Sequence, residues 1–92
     1  MTTNAVWMKV DPERVLYALQ HEAAEKVKSA GSELVLDFSS VPRIDPGAVK
    51  ALEEVARLAA DQSVKVVLCG VNVDIYRVLK LVKLAQRFEF LG

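Results

Sequence analysis

Nucleophilic catalysis needs a hydroxyl or thiol held beside a base. This chain offers Ser39 and Ser40 as a pair, one cysteine, Cys69, and one histidine, His21. His21 stands between Gln20 and Glu22 on a stretch with helical periodicity, which reads as a surface histidine. The pattern gives no Ser-His-Asp arrangement. A lone histidine and a lone cysteine on different elements are not a metal-ligand cluster, so no metal is expected. The four glycines form neither a G-x-x-x-x-G-K-[ST] nor a G-x-G-x-x-G pattern, so no nucleotide cofactor is expected either. Cys69, at the end of an apolar run, is expected to behave as a small buried hydrophobe. The chemistry that remains is recognition. Its candidates are the loop around Asp45-Pro46-Gly47 and a run of cations, Arg77, Lys80, Lys83 and Arg87.

The elements that must position these residues are legible. Val6–Val10 reads as a short strand. Asp11 and Pro12 then suit the cap and first position of a helix. Val15, Leu19, Ala23 and Val27 recur at spacing four, with Leu16 and Ala30 beside them, and Gly31 stops the run. Leu34–Phe38 reads as a buried strand and Ser39–Ile44 as a loop. Asp45-Pro46 repeats the cap-then-proline signal and opens a second helix with apolar positions Val49, Leu52, Val55, Ala56 and Ala59. Its outer face offers Lys50/Glu54 and Glu53/Arg57 pairs at i,i+4. Val64–Cys69 is a third strand, ended by Gly70. Asn72 caps a third helix running to about Leu84, with Leu79, Val82 and Leu84 packing the core. Phe88–Leu91 is a last short strand.

That order is β-α-β-α-β-α-β. It predicts an α/β fold with a mostly parallel or mixed sheet of about four strands and three helices, joined by right-handed crossovers. In such sheets function gathers at loops beyond the carboxyl ends of the strands, here Ser39–Gly47 and Gly70–Asn72.

Bulk properties narrow the function classes. At 92 residues the chain is long enough for one domain, 1–92, and for one modest core. Hydrophobic residues at 52% and charged residues at 26% fit a globular protein rather than a disordered one. Twelve basic and twelve acidic residues leave no net charge, which counts against nucleic acid as partner. No basic region followed by an apolar stretch opens the chain, and no run approaches a membrane span, so a cytoplasmic location without membrane insertion is expected. The cations of residues 77–87 read as a solvated face complementing a helix C-terminus. The sharper alternative is a surface for an acidic partner or anionic headgroups. Trp7 and Tyr76 read as core or rim anchors.

The segment from Asp37 to Leu52, DFSSVPRIDPGAVKAL, resembles the signature of the STAS family, the sulfate-transporter and anti-sigma-factor-antagonist domain. The family pattern is roughly D-h-S-x-h-x-x-h-D-S-S/T-G-L-x-x-L, with h apolar. Asp37, Ser39, Val41, Ile44, Asp45, Val49 and Leu52 match it without a gap. Val64–Asn72 and Ile75–Leu81 look like the family's next strand, turn and helix. The resemblance implies a phosphoacceptor at the second residue after the aspartate, which here is Gly47. A one-residue gap would put Pro46 there instead. Neither has a hydroxyl. Relatives also begin with a two-stranded hairpin, whereas ten residues before Asp11 leave room for one strand, 6–10, and a less protected sheet edge. Such an edge implies a homodimer or a partner strand.

What the resemblance implies is a non-enzymatic interaction or regulatory module, with a small hydrolase or transferase as a remote alternative. One implied role is an anti-sigma-factor antagonist binding a kinase-type anti-sigma factor. Another is an accessory STAS subunit docking on the ATPase of a bacterial lipid ABC transporter, which the Gly70–Leu81 segment resembles. The partner-binding residues are expected to be Ser39, Ser40, Arg43, Asp45, Pro46, Gly47 and Lys50, with Ser39 shaping the loop by local hydrogen bonds. Ser39, Ser40 and Ser63 remain as hydroxyls to which modification could have moved.

Overall fold

The computed structural model describes residues 5–91. Four strands, β1 (Ala5–Lys9), β2 (Glu33–Asp37), β3 (Lys65–Cys69) and β4 (Glu89–Leu91), form one sheet in the order β1-β2-β3-β4. Every pairing is parallel, so the sheet is wholly parallel rather than mixed. Helix α1 covers residues 15–29, α2 is Pro46–Asp61 and α3 is Val73–Leu81. A 3₁₀ turn, Ala85–Arg87, leads into β4.

Strands laid down in sequence order by right-handed crossovers put every connecting helix on the same side of the sheet. Burial agrees. Leu34, Leu36, Val66 and Leu68 join one core with Leu19, Val27, Leu52, Val55, Ile75 and Leu79 from the three helices. The intervening Val35 and Val67 point to the opposite face and are no part of that core, although both are buried. In register they stand in a row with Trp7. Trp7 is 60% exposed and belongs to the helix-free face, not to the core. Cys69 is on the same face and only half-buried, short of the buried position expected from its apolar run.

Helix α1 departs from its expected start. Asp11 does not cap it. The Asp11 carboxylate accepts the Glu13 N–H at 2.9 Å, making a local turn, and the helix begins at Val15. Within it, Ala18–Ala23 is π-helical, between α-helical pieces Val15–Tyr17 and Ala24–Ser29. The spacing of the stripe explains this. Apolar residues every four positions drift around a helix of 3.6 residues per turn by about 40° per step. The wider π turn rotates less per residue and takes up that drift. Ala18, Leu19, Ala23 and Val27 are all buried as a result, while Leu16 is left exposed.

Helix α2 starts as its sequence dictates, with Asp45 as cap and Pro46 at the first position. Its ion pairs differ from the expected set. Arg57 reaches Glu54 at 2.6 Å and Asp61 at 3.8 Å instead of Glu53, and among the described residues Lys50 makes no ion pair. Helix α3 ends at Leu81, three residues early, because Lys83 takes a left-handed conformation (φ 65°) and Leu84 N–H donates back to the Leu79 carbonyl at 2.8 Å. Leu84 and Leu79 pack the core as expected, but Val82 is turned to solvent. Ser63 closes α2 in the same left-handed manner (φ 57°), with Val64 N–H donating to the Ala59 carbonyl.

β1 is an edge strand, and among the described residues no strand pairs with its outer side. Val10 N–H donates to the Asp37 carbonyl at 2.9 Å. By backbone alternation, Ala5, Trp7 and Lys9 turn their N–H and C=O groups to the open edge.

Candidate functional site: the loops at the carboxyl end of the sheet

The β2–α2 loop is built by short-range hydrogen bonds. Asp37 Oδ1 accepts the Ser39 N–H at 2.9 Å, closing the turn that leaves β2. This is a physical reason for an aspartate two positions before a serine. Ser39, through its N–H first and its hydroxyl second, holds the Asp37 carboxyl below the usual carboxylate range; partial desolvation opposes the shift and Lys9 adds to it. Val41 is buried and its N–H returns to the Phe38 carbonyl at 3.0 Å, anchoring the loop in the core. Asp45 Oδ1 then accepts the Ala48 N–H at 2.8 Å and caps α2.

The β3–α3 turn stands beside it. Gly70 has φ 71°. A Cβ added there would come within 2.8 Å of Ser39 Cβ and 2.9 Å of Ser39 Cα, so the backbone of this turn is seated directly on the β2–α2 loop. Asn72 Oδ1 accepts the Ile75 N–H at 2.8 Å and caps α3, while its Nδ2 donates to the Pro42 carbonyl at 2.9 Å, thirty residues away in sequence. One side chain thereby starts a helix and ties the two loops together.

Gly47 is different. It is the second residue of α2, exposed, with helical rather than left-handed backbone. A Cβ there would meet only Asp45 Oδ1 at 3.4 Å and Leu16 Cδ1 at 3.8 Å, both ordinary contacts. A serine would fit; the missing hydroxyl is a property of the sequence and not of the space. Gly47 and Lys50 stand on one wall of a groove of about 490 Å³ between α1 and α2. Leu16, Leu19, Ala51, Val55 and Leu58 make its apolar lining, and Gln20 and Glu54 are its polar rim.

The expected partner-binding residues therefore fall into three places. Gly47 and Lys50 line the groove. Arg43 and Asp45 line a second depression of about 370 Å³ against the start of α1, with Leu16 common to both. Pro46 bridges the two along the chain and is exposed. Ser39 and Ser40 are exposed but line neither depression; they belong to the turn under Gly70. Ser63 lies just beyond the far end of α2 from Gly47, which is the second of the sixteen residues of that helix. Sequence reasoning missed the contribution of α1. Leu16, apolar yet off the buried stripe, was the signal for it, and Arg14 over the Tyr17 ring at 4.4 Å with Tyr17 against His21 extends that exposed face.

Among the described residues no group of three histidine, cysteine, aspartate or glutamate side chains gathers to hold a metal. No helix there is long and apolar enough to cross a membrane. No curated protein matches the chain. A family model does: the STAS domain model matches residues 13–91. The parallel sheet, the capped helix after the Asp37–Asp45 loop and this match together mean that the chain belongs to the STAS domain family.

Proposed function

We propose that this chain is a constitutive protein-docking module whose contact surface is the α1–α2 groove together with the loop that starts α2. STAS domains in general serve interaction and regulation. The observation that carries the reading is the continuity of an open apolar groove with Gly47 and Lys50, at the start of the helix that follows the family's signature loop. In phosphorylatable relatives, a phosphate at this helix start would add nearly two negative charges and remodel the contact. Here no hydroxyl stands at Pro46 or Gly47, so the surface has one chemical state and binding is not gated there. The role is non-enzymatic and of the anti-sigma-factor-antagonist type, with a kinase-type anti-sigma factor as partner.

A second reading is an accessory subunit docking on the ATPase of a bacterial lipid ABC transporter. The Asn72 tie to Pro42 favours it, because it couples the Gly70–Leu81 segment resembling that subgroup to the docking loop. Both readings place the protein at a protein surface in the cytoplasm. Affinity capture on the tagged chain from its native host, followed by mass spectrometry, separates them. A kinase-type anti-sigma factor supports the first and an ABC ATPase the second. Recovery of neither, by a chain shown to be folded, contradicts both.

A further inference from the structure

Of the eight large apolar side chains exposed among the described residues, Val73, Tyr76, Leu81, Val82 and Leu91 fall in the last quarter of the chain, away from the α1–α2 groove. Val73 is 64% and Leu81 82% exposed. Tyr76 meets Phe90 edge to face, ring centroids 5.1 Å apart. Those two rings, with Val71, Val73 and Leu91, line a small pocket of about 220 Å³ at the β4 edge of the sheet. Leu91 carbonyl accepts from Gly70 N–H at 3.3 Å, so alternation turns the backbone N–H and C=O of Phe90 to the open edge beside that pocket.

The surrounding charge is one-sided. Arg77 follows Val73 by one helical turn and Lys80 follows Tyr76 by one. With Lys83 and Arg87 they make four exposed cations, none in an ion pair among the described residues. Asp74 is the one acid between residues 72 and 88. Lys83 and Arg87 follow the far end of α3, and Arg87 lines a separate depression with Ala56 and Val66, so Arg77 and Lys80 are the cations one helical turn from the pocket lining. A solvated helix face would carry the cations without the exposed leucine and valines. An anionic bilayer would be met by a flat surface and has no use for a pocket the size of one side chain, whereas a protein anchor residue does.

We infer that the Tyr76–Phe90 pocket and its Arg77/Lys80 rim are a second docking surface, for a short acidic protein segment carrying an apolar anchor side chain. The anchor fills the pocket, the acids meet the cations, and the Phe90 edge groups supply backbone hydrogen bonds. This surface is independent of the groove beside Gly47.

The test is fluorescence anisotropy of the full chain with a labelled short peptide of glutamates and aspartates around two leucines, and with a control in which serine replaces the leucines. Anionic vesicles of phosphatidylserine and phosphatidylcholine, and sedimentation of the chain alone, run beside it. Binding of the leucine peptide is expected to weaken about tenfold in R77E/K80E, and comparably in Val73→Ser, whose exposed side chain is dispensable for folding. It is expected to be unchanged in Gly47→Asp. Amide shifts on peptide addition should centre on Val73, Tyr76 and Phe90. Equal binding of the serine control overturns the inference in favour of unspecific charge attraction. Binding to vesicles without peptide binding overturns it in favour of a lipid surface. Self-association abolished by R77E/K80E overturns it in favour of a second copy.

Discussion

The two β–α connections at the carboxyl end of the sheet solve one problem in two ways. Each must turn the chain from a strand into a helix, and each does so with an Asx cap 2.8 Å from its N–H partner, Asp45 for α2 and Asn72 for α3. Each also carries a glycine. Gly70 is demanded by the fold, both by its φ of 71° and by the backbone of Ser39 where a Cβ would be. Gly47 is demanded by nothing inside the molecule. The β3–α3 turn is therefore architecture, locked onto its neighbour, and the start of α2 is surface, free to present whatever a partner requires. The fold therefore does not depend on which small residue stands at position 47, because Gly47 holds nothing up.

Substitution of the two glycines gives the largest contrast. Gly70→Ala is expected to destabilise by about 3 kcal/mol, through left-handed strain plus overlap with Ser39. Gly47→Ala should instead stabilise by about 0.5–1 kcal/mol, as glycine is removed from a helix. Urea denaturation midpoints measure both, and a similar loss in the two variants would erase the distinction between the loops.

Next in size is the tie between them. Asn72→Ala removes a helix cap and the bond to Pro42, and about 2 kcal/mol of stability should go with them. Asn72→Asp keeps the cap, which an anion suits, and loses only the donor to Pro42. It should recover about half of that loss. If the aspartate and alanine variants unfold together, the cap contributes nothing and the inter-loop bond is the whole effect.

The smallest effect is protonic. Ser39, the residue under Gly70, lowers the pKa of Asp37 in the folded state. A carboxylate with a depressed folded pKa adds stability that is present above its unfolded value. That stability is lost as pH falls through the folded one. Wild type should therefore lose a little stability on acidification below about pH 4. Asp37→Asn should lack that component when the two are compared by urea unfolding across that range.

Much of this was legible in the residues. Asp45-Pro46 and Asn72 announced two helix starts, and the apolar runs after Gly31 and Gln62 announced the central strands. Asp11-Pro12 carried the same signal as Asp45-Pro46 yet made only a turn, since Asp11 found its N–H partner two residues on. The helix ends were hidden because Ser63 and Lys83, not glycines, adopt the left-handed conformation there. Replacing either by glycine should relieve about 1 kcal/mol, readable as a rise in melting temperature. The one-sided sheet was legible only through topology: a continuous apolar run such as Leu34-Val35-Leu36 does not tell which face the helices cover. The site was half legible. Of its α2 wall, Gly47 and Lys50 were expected as contacts while Ala51, Glu54, Val55 and Leu58 were not, and its α1 side depended on a π-helical stretch whose sole sequence trace is the spacing of four in the apolar stripe.

The central claim is that a partner protein docks, ungated, on the groove beside Gly47. Its most direct measurement is the affinity of the captured partner for wild type and for Gly47→Asp. The substitution places a carboxylate at a helix N-terminus, where it is compatible with folding, and on the wall of the groove. The account predicts that Gly47→Asp retains the wild-type melting temperature or exceeds it, and binds at least about tenfold more weakly. A folded Gly47→Asp protein with unchanged affinity would contradict it.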